Sequence, residues 1–225
     1  MDKQQSLGHY ARLRQRFLKD GIEGFLDYEV VELLLKLADN RRDQKPTAKI
    51  LIKEFKSLKG VLEASPERLK SISGIGSSNI FGLKLVQAIS RRYLKDRIIG
   101  EDYIKSAKDV FTYLQHQLRD RSREVFLVIL LNGQNKIIDS VELFEGTLTT
   151  SAVYPREVIK IILEQDAAAV VFVHNHPSGN PNPSNDDIAI TKKLKDACTT
   201  IEVSLHDHII IAGDNVTSFA DKGIL

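Results

Sequence analysis

The chain reads as an all-α domain followed by an α/β domain, at residues 1–97 and 103–225. Two observations predict this division. Up to residue 97 the apolar residues recur only at helical spacing, whereas beyond residue 103 runs of β-branched residues alternate with amphipathic stretches. Charge divides the same way: residues 1–100 carry 20 Lys and Arg against 12 Asp and Glu, a balance of +8, while the remainder carries −6 within an overall +2. A basic front half is where nucleic acid would dock if any does, although solvated helix faces also collect charge.

In the front half, residues 8–19 have helical apolar spacing between Arg12, Arg14, Arg16 and Lys19. Asp27 is placed as the cap of a helix reaching Leu37, with Val30, Val31, Leu33, Leu34 and Leu35 on its apolar side. Pro46 suits the first turn of a helix through Phe55, and Ser65-Pro66-Glu67 repeats the cap-then-proline pattern. The turn Gly74-Ile75-Gly76 between two periodic segments is similar to a helix-hairpin-helix. Its glycines permit positive φ and leave helix N-terminal amides open to a phosphate, so Gly74, Gly76, Lys84, Arg91 and Arg92 are candidates for non-specific DNA contact. A packing turn between helices is the competing reading. The polar stretch 95–102 is the expected linker.

In the back half, a helix over 106–118 precedes the strand Glu124–Leu131, an Asn132-Gly133 turn and a strand over 136–144. A helix over 155–163, a buried strand over 169–174, a helix over 184–198 and two short strands, 201–205 and 208–212, complete an α/β sandwich.

The segment after the buried strand carries the chemistry. His174 and His176 stand at i and i+2 at the strand end, where side chains share a face. A loop of Pro, Ser, Gly and Asn then leads to Ser184, in N-cap position, and Asp187 in the next helix's first turn. Two imidazoles and a carboxylate suit one Zn2+ ion and leave a fourth tetrahedral position for water. Each residue alone has a structural explanation: Ser184-x-x-Asp187 is also an ordinary helix start, and the loop residues suit any exposed turn. Their joint order and spacing favours metal.

Composition excludes several classes. No apolar run is long enough for a bilayer span, and the polar start Met1-Asp2-Lys3 lacks a signal-peptide pattern, so no membrane partner and a cytoplasmic location are expected. A single cysteine, Cys198, cannot form an intramolecular disulfide and suits a reducing compartment. The same count excludes a nucleobase deaminase, which needs Pro-Cys-x-x-Cys, and no His-Glu-x-x-His marks a zincin.

His174-x-His176-Pro177 followed by Ser184-x-x-Asp187 resembles the JAMM motif of the MPN/JAB metalloproteases, and its wording is similar to that of the bacterial RadC-like branch. The similarity extends to Gly146-Thr147-Leu148, Pro155-Arg156-Glu157, Asp207-His208-Ile209-Ile210 and the stretch Gly21–Glu29. This resemblance implies an MPN fold (JAB-like, cytidine-deaminase-like) and a zinc-dependent peptidase or isopeptidase acting on a peptide or protein. It implies Glu124 as general acid/base, with Glu142, Glu145 and Glu157 as alternatives, and Ser184 as an oxyanion donor. Asp207 and His208 would support a ligand histidine from behind. A DNA-associated repair or recombination accessory is the alternative, resting on the basic front half. The motif names neither the natural substrate nor an oligomeric state.

Overall fold

A computed structural model describes residues 3–146 and 153–225, with side chains from Gly8 onward. Thr147 and Leu148, which contribute to the family resemblance, lie outside the described residues. The chain divides into two compact units, residues 1–90 and 91–225.

The first unit contains helices α1 (Lys3–Asp20), α2 (Asp27–Ala38), α3 (Lys45–Phe55), α4 (Leu58–Glu63), α5 (Pro66–Lys70) and the start of α6 (Ser77–Ile98). Its core joins Val31 and Leu35 of α2 to Ala48, Leu51 and Phe55 of α3, with Val61, Leu69 and Leu83 closing it. Asp27 does not cap its own helix as the sequence suggested. Glu29 does, by accepting the Leu26 amide at 3.0 Å, while the Asp27 carboxylate accepts the Leu58 amide at 2.7 Å and so serves the start of α4. His9 of α1 is half-buried and lies 3.2 Å from the buried Glu32 carboxylate of α2.

Gly74 has φ +88°, and a Cβ there would stand 2.9 Å from Thr47 Oγ1. Gly74→Ala is therefore expected to destabilise this unit by about 1–2 kcal/mol through the left-handed backbone alone. Urea unfolding checks this, and Thr47→Ala in the same background should recover the steric part but not the backbone part.

The expected linker is helical up to Ile98, whose side chain is buried in the second unit's core with Leu94 beside it. Burial of these apolar residues draws the end of α6 into the second unit, and the division falls at residues 90 and 91 instead of in the polar stretch. That unit continues with α7 (Ala107–Leu118), β1 (Val125–Leu131), β2 (Ile137–Glu145), α8 (Pro155–Glu164), β3 (Ala169–Asn175), α9 (Asn185–Thr200), β4 (Ser204–Ala212) and β5 (Asn215–Ser218). The strands form one sheet in the order β2-β1-β3-β4-β5. Only β3 and β4 run parallel; the other pairs are antiparallel.

Every residue of β1 and β3 is buried, as their unbroken apolar runs require for strands covered on both faces. Alternate side chains feed two cores. Val125, Leu127, Ile129, Val171 and Val173 pack with α7 on one face, and Phe126, Val128, Leu130, Val170 and Phe172 pack with α8 and α9 on the other.

Two details differ from the sequence reading. The β1–β2 loop spans residues 132–136, one residue longer than the expected strand at 136 allows; Asn135 takes the left-handed position at φ +59°, and Asn132 Oδ1 accepts the amides of Gln134 and Lys136. The two short strands expected at 201–205 and 208–212 are the single strand β4. Its polar middle reads as a break, yet His206 forms a bulge between the register pairs Val170–Leu205 and Val171–Asp207, so the strand passes through. The polar groups there are satisfied: His206 Nε2 meets Asn135 Oδ1 at 2.8 Å, and the Asp207 carboxylate accepts Ser218 Oγ at 2.5 Å.

Burial pushes the Cys198 thiol up to about 11 and the Tyr113 hydroxyl, bonded to Ser140, up to about 12. Both acids favour their neutral form when folded, so their contribution is whole below pH 9.0, the thiol's ordinary value, and declines as pH rises through these folded values. Cys198 is accordingly expected to resist iodoacetamide at pH 8 until denaturant is added, as mass spectrometry would show. Among the described residues no helix is long and apolar enough to cross a membrane.

Candidate metal centre

Strand β3 delivers His174 at its last turn-inward position, and the chain continues far enough in register for the His176 amide to donate to Ile211 O at 2.9 Å. Both rings therefore project from one face, with centroids 4.9 Å apart. Helix α9 brings in Asp187 at its third position, held by a complete capping box: Ser184 Oγ accepts the Asp187 amide at 3.1 Å while the Asp187 carboxylate accepts the Ser184 amide at 2.7 Å.

The convergence is close. His174 Nε2 lies 3.0 Å from His176 Nε2 and 3.1 Å from Asp187 Oδ1, and His176 Nε2 lies 3.3 Å from Asp187 Oδ2. Ligands at zinc distances of roughly 2.0–2.1 Å in a tetrahedron stand about 3.3 Å apart along each edge. The three side chains form a group able to hold a metal ion.

Protons are placed to match. His176 Nδ1 donates to Asn180 O at 2.7 Å, so its Nε2 is the nitrogen left for coordination. In the metal-free protein the hydrogen bond to Asp187 raises His176 against the opposing effect of burial, with Glu124 adding a smaller push in the same direction. Burial alone would raise the Asp187 carboxyl, yet hydrogen bonds from His174, His176 and Ser184 outweigh it and hold the group well below the ordinary carboxylate range. Asp187 is thus ionised at neutral pH.

Glu124 immediately precedes β1. The β1–β3 ladder pairs Phe126 with His174, and Glu124 stands two residues before Phe126, at the end of the sheet where the two histidines lie. The field of its carboxylate at His176 agrees with that position. The alternatives are elsewhere. Glu142 and Glu145 pair with Leu127 and Val125 on the opposite face of the sheet, and Glu142 accepts from Arg121 at 2.8 Å. Glu157 is engaged with Arg156 at 3.1 Å.

A family model described as a RadC-like JAB domain matches residues 104–224. The chain belongs to the RadC-like JAB family. Among similar proteins, a UPF0758 protein of Idiomarina loihiensis is 38% identical over 214 residues, covering 95% of this chain and 96% of that protein. A UPF0758 protein of Rhodobacter capsulatus is 39% identical over 213 residues, covering 95% and 100%. One from Fusobacterium nucleatum is 37% identical over 232 residues and covers both chains completely.

Within this RadC-like domain, Ser184 Oγ donates to Asp187 Oδ2 at 2.7 Å, so its proton is committed to the ligand and an oxyanion contact would require the hydroxyl to turn. His208 is fully buried on β4 and its Nε2 meets His174 Nδ1 at 2.9 Å, directly behind the cluster. Asp207 faces Ser218 and the Ala220 amide instead, so it anchors β5 and the segment after it and does not touch a ligand.

Two residues escaped the sequence reading. Thr191 stands one turn beyond Asp187 on α9, and its Oγ1 lies 2.5 Å from both Asp187 O and His208 Nδ1. The i, i+4 spacing from a ligand was the available signal. Asn175, between the two histidines, turns to the other side: its Oδ1 accepts the Val125 amide at 2.7 Å and its Nδ2 donates to Arg123 O at 3.1 Å.

The cations proposed for DNA are engaged. Lys84 Nζ donates to Leu62 O at 2.7 Å and to Gln87 Oε1 at 3.0 Å, Arg91 binds Asp120 and donates to His116 O at 2.8 Å, and Arg92 pairs with Asp96 at 3.0 Å. Gly74 faces Thr47, and a Cβ on Gly76 would meet only Asn79 Oδ1, at 3.9 Å.

Proposed function

We propose that the chain is a zinc-dependent hydrolase of the JAMM type, cleaving peptide or isopeptide amides with His174, His176 and Asp187 holding one Zn2+. The observation that carries this reading is the convergence of His174, His176 and Asp187, one ligand atom from each lying within 4.8 Å of the others, with Glu124 among the charges that act on His176. When bound, zinc would supply an activated water and a Lewis-acid contact to the scissile carbonyl. A carboxylate oxygen of Glu124 takes the proton from the attacking water and returns it to the leaving amine, the two transfers amide hydrolysis needs. His176 stays on Nε2 through its bond to Asn180 O, and Asp187 keeps its orientation through Ser184.

Elemental analysis of protein purified without chelator at near-neutral pH is expected to find one zinc per chain, lost in His174→Ala. Material without zinc, and unable to take it up, would end the proposal.

Non-specific DNA contact through a helix-hairpin-helix around Gly74-Ile75-Gly76 is the second reading. The basic balance of the front half favours it, but Lys84, Arg91 and Arg92 already serve carbonyls and carboxylates of the chain. Unchanged duplex binding after their joint neutralisation would remove this reading.

A further inference from the structure

Helix α2 carries apolar residues on two faces. Val31 and Leu35 fill the core of the first unit, while Val30, Leu33, Leu34 and Leu37, at i, i+3, i+4 and i+7, form a second stripe about 10 Å long. A helix apolar over more than half of its circumference is ordinarily covered on both sides. Here the second stripe is only partly covered. Between α1 and α2 lies a depression of about 350 Å³ whose lining includes Phe17, Leu18, Leu33 and Leu37, and between α2 and α6 lies one of about 530 Å³ lined in part by Leu37, Phe81 and Leu85. Leu34 and Leu37 belong to both. Leu18 is 79% exposed, Leu37 77% and Phe81 66%. Scattered apolar residues are normal on a surface, but a continuous group of this kind marks a place where something docks.

Charge narrows the occupant. Arg14 lines the first depression, and a polar recess that continues past Leu37, Ala38 and Ser78 is lined by Arg41 and Arg42. All three arginines are exposed, and among the described residues no carboxylate pairs with them; Arg14 lies over the Tyr10 ring at 5.9 Å. Asp39, the acid of the recess, accepts the Arg41 amide at 3.0 Å. The surrounding residues 1–100 carry a balance of +8, which favours an acidic partner at long range. A second copy seated groove to groove would bring like charge to like charge. A nucleic acid strand needs cations along its path, whereas Arg14 is the one charged residue lining the two apolar depressions. We propose that this surface receives an amphipathic helix of another protein, its apolar face against Leu34, Leu37 and Phe81 and its acidic flank toward Arg14, Arg41 and Arg42. The surface belongs wholly to the first unit and shares no residue with the candidate metal centre, so it stands apart from the hydrolase reading.

The test is NMR titration of the isotope-labelled full chain with synthetic peptides of about five helical turns, built on one leucine pattern at i, i+3, i+4 and i+7. One carries Glu along its polar flank, one carries Lys there, and one is the Glu peptide in scrambled order. The Glu peptide is expected to shift the resonances of Leu34, Leu37 and Phe81 and to bind about tenfold or more tighter than the Lys peptide, with the gap narrowing at high salt. Leu37→Ser should weaken the Glu peptide by about tenfold. Joint Arg14→Glu, Arg41→Glu and Arg42→Glu should turn the preference toward the Lys peptide. Failure of the Glu peptide to bind, equal binding of the Glu and Lys peptides, binding of the scrambled peptide as tight as the ordered one, or shifts confined to other residues overturns the proposal. So does self-association of the peptide-free chain that Leu37→Ser abolishes in sedimentation, which would make a second copy the occupant, or a thymidine oligonucleotide that shifts the same resonances and binds more tightly than the Glu peptide. The wild-type comparison of the peptides decides even if a variant fails to fold.

Discussion

Glu124→Gln is expected to retain one zinc per chain while hydrolysis falls by about 10²–10⁴-fold, the range associated with loss of a positioned acid/base. Glutamine keeps the size and the half-buried position of the side chain but has no proton-accepting carboxylate oxygen. None of the three ligand atoms belongs to residue 124, and their mutual distances do not depend on it. Metal content and turnover should therefore separate. Elemental analysis beside single-turnover hydrolysis of an amide substrate checks this, and a variant with wild-type turnover would show that another group moves the proton. The change should also lower the apparent pKa of His176 in metal-free protein, because one of the negative charges facing that ring is removed.

Asp187→Ala should act on metal and fold together. Apparent zinc-site free energies of roughly 10–16 kcal/mol, spread over four positions, give about 3 kcal/mol per ligand, so affinity should fall by at least ~100-fold. Competition against a chromophoric chelator measures that loss. The same substitution removes the acceptor of the Ser184 amide and hydroxyl, leaving the start of α9 without half of its capping box. A further cost of about 1 kcal/mol in stability follows. Asp187→Asn separates the two effects, since an amide oxygen accepts the Ser184 amide but lacks the charge that zinc and the histidines require. If Asp187→Ala bound zinc as tightly as the wild type, the ligand set would be wrong.

The ligand triad was legible because its signal is local: an apolar strand, two same-face histidines, a loop and a capped helix follow within one stretch of chain. Glu124 was legible only through the family resemblance, since its meaning depends on the β1–β3 register, which pairs residues some fifty apart. The polar middle of β4 misread as a break for a related reason. His206 and Asp207 find partners at Asn135 and Ser218, and no window around residue 207 contains the first of these. The linker failed because Ile98 looks like one apolar residue among charges until the core that receives it exists. Thr191 was invisible as chemistry because a threonine in a helix is ordinary, and its meaning comes from a histidine on another strand.

Asn175 is not a spacer between two ligands. Facing away from the metal side, its amide grips the backbone on both sides of residue 124, accepting from Val125 and donating to the carbonyl of Arg123. One side chain thus works as a ruler, measuring Glu124 against the histidines that flank Asn175. Aspartate could not supply the donor, and glutamine would overreach by a methylene. The alternation of a strand lets three successive residues, His174, Asn175 and His176, act from opposite faces of the same sheet on the candidate metal group and on the chain around Glu124.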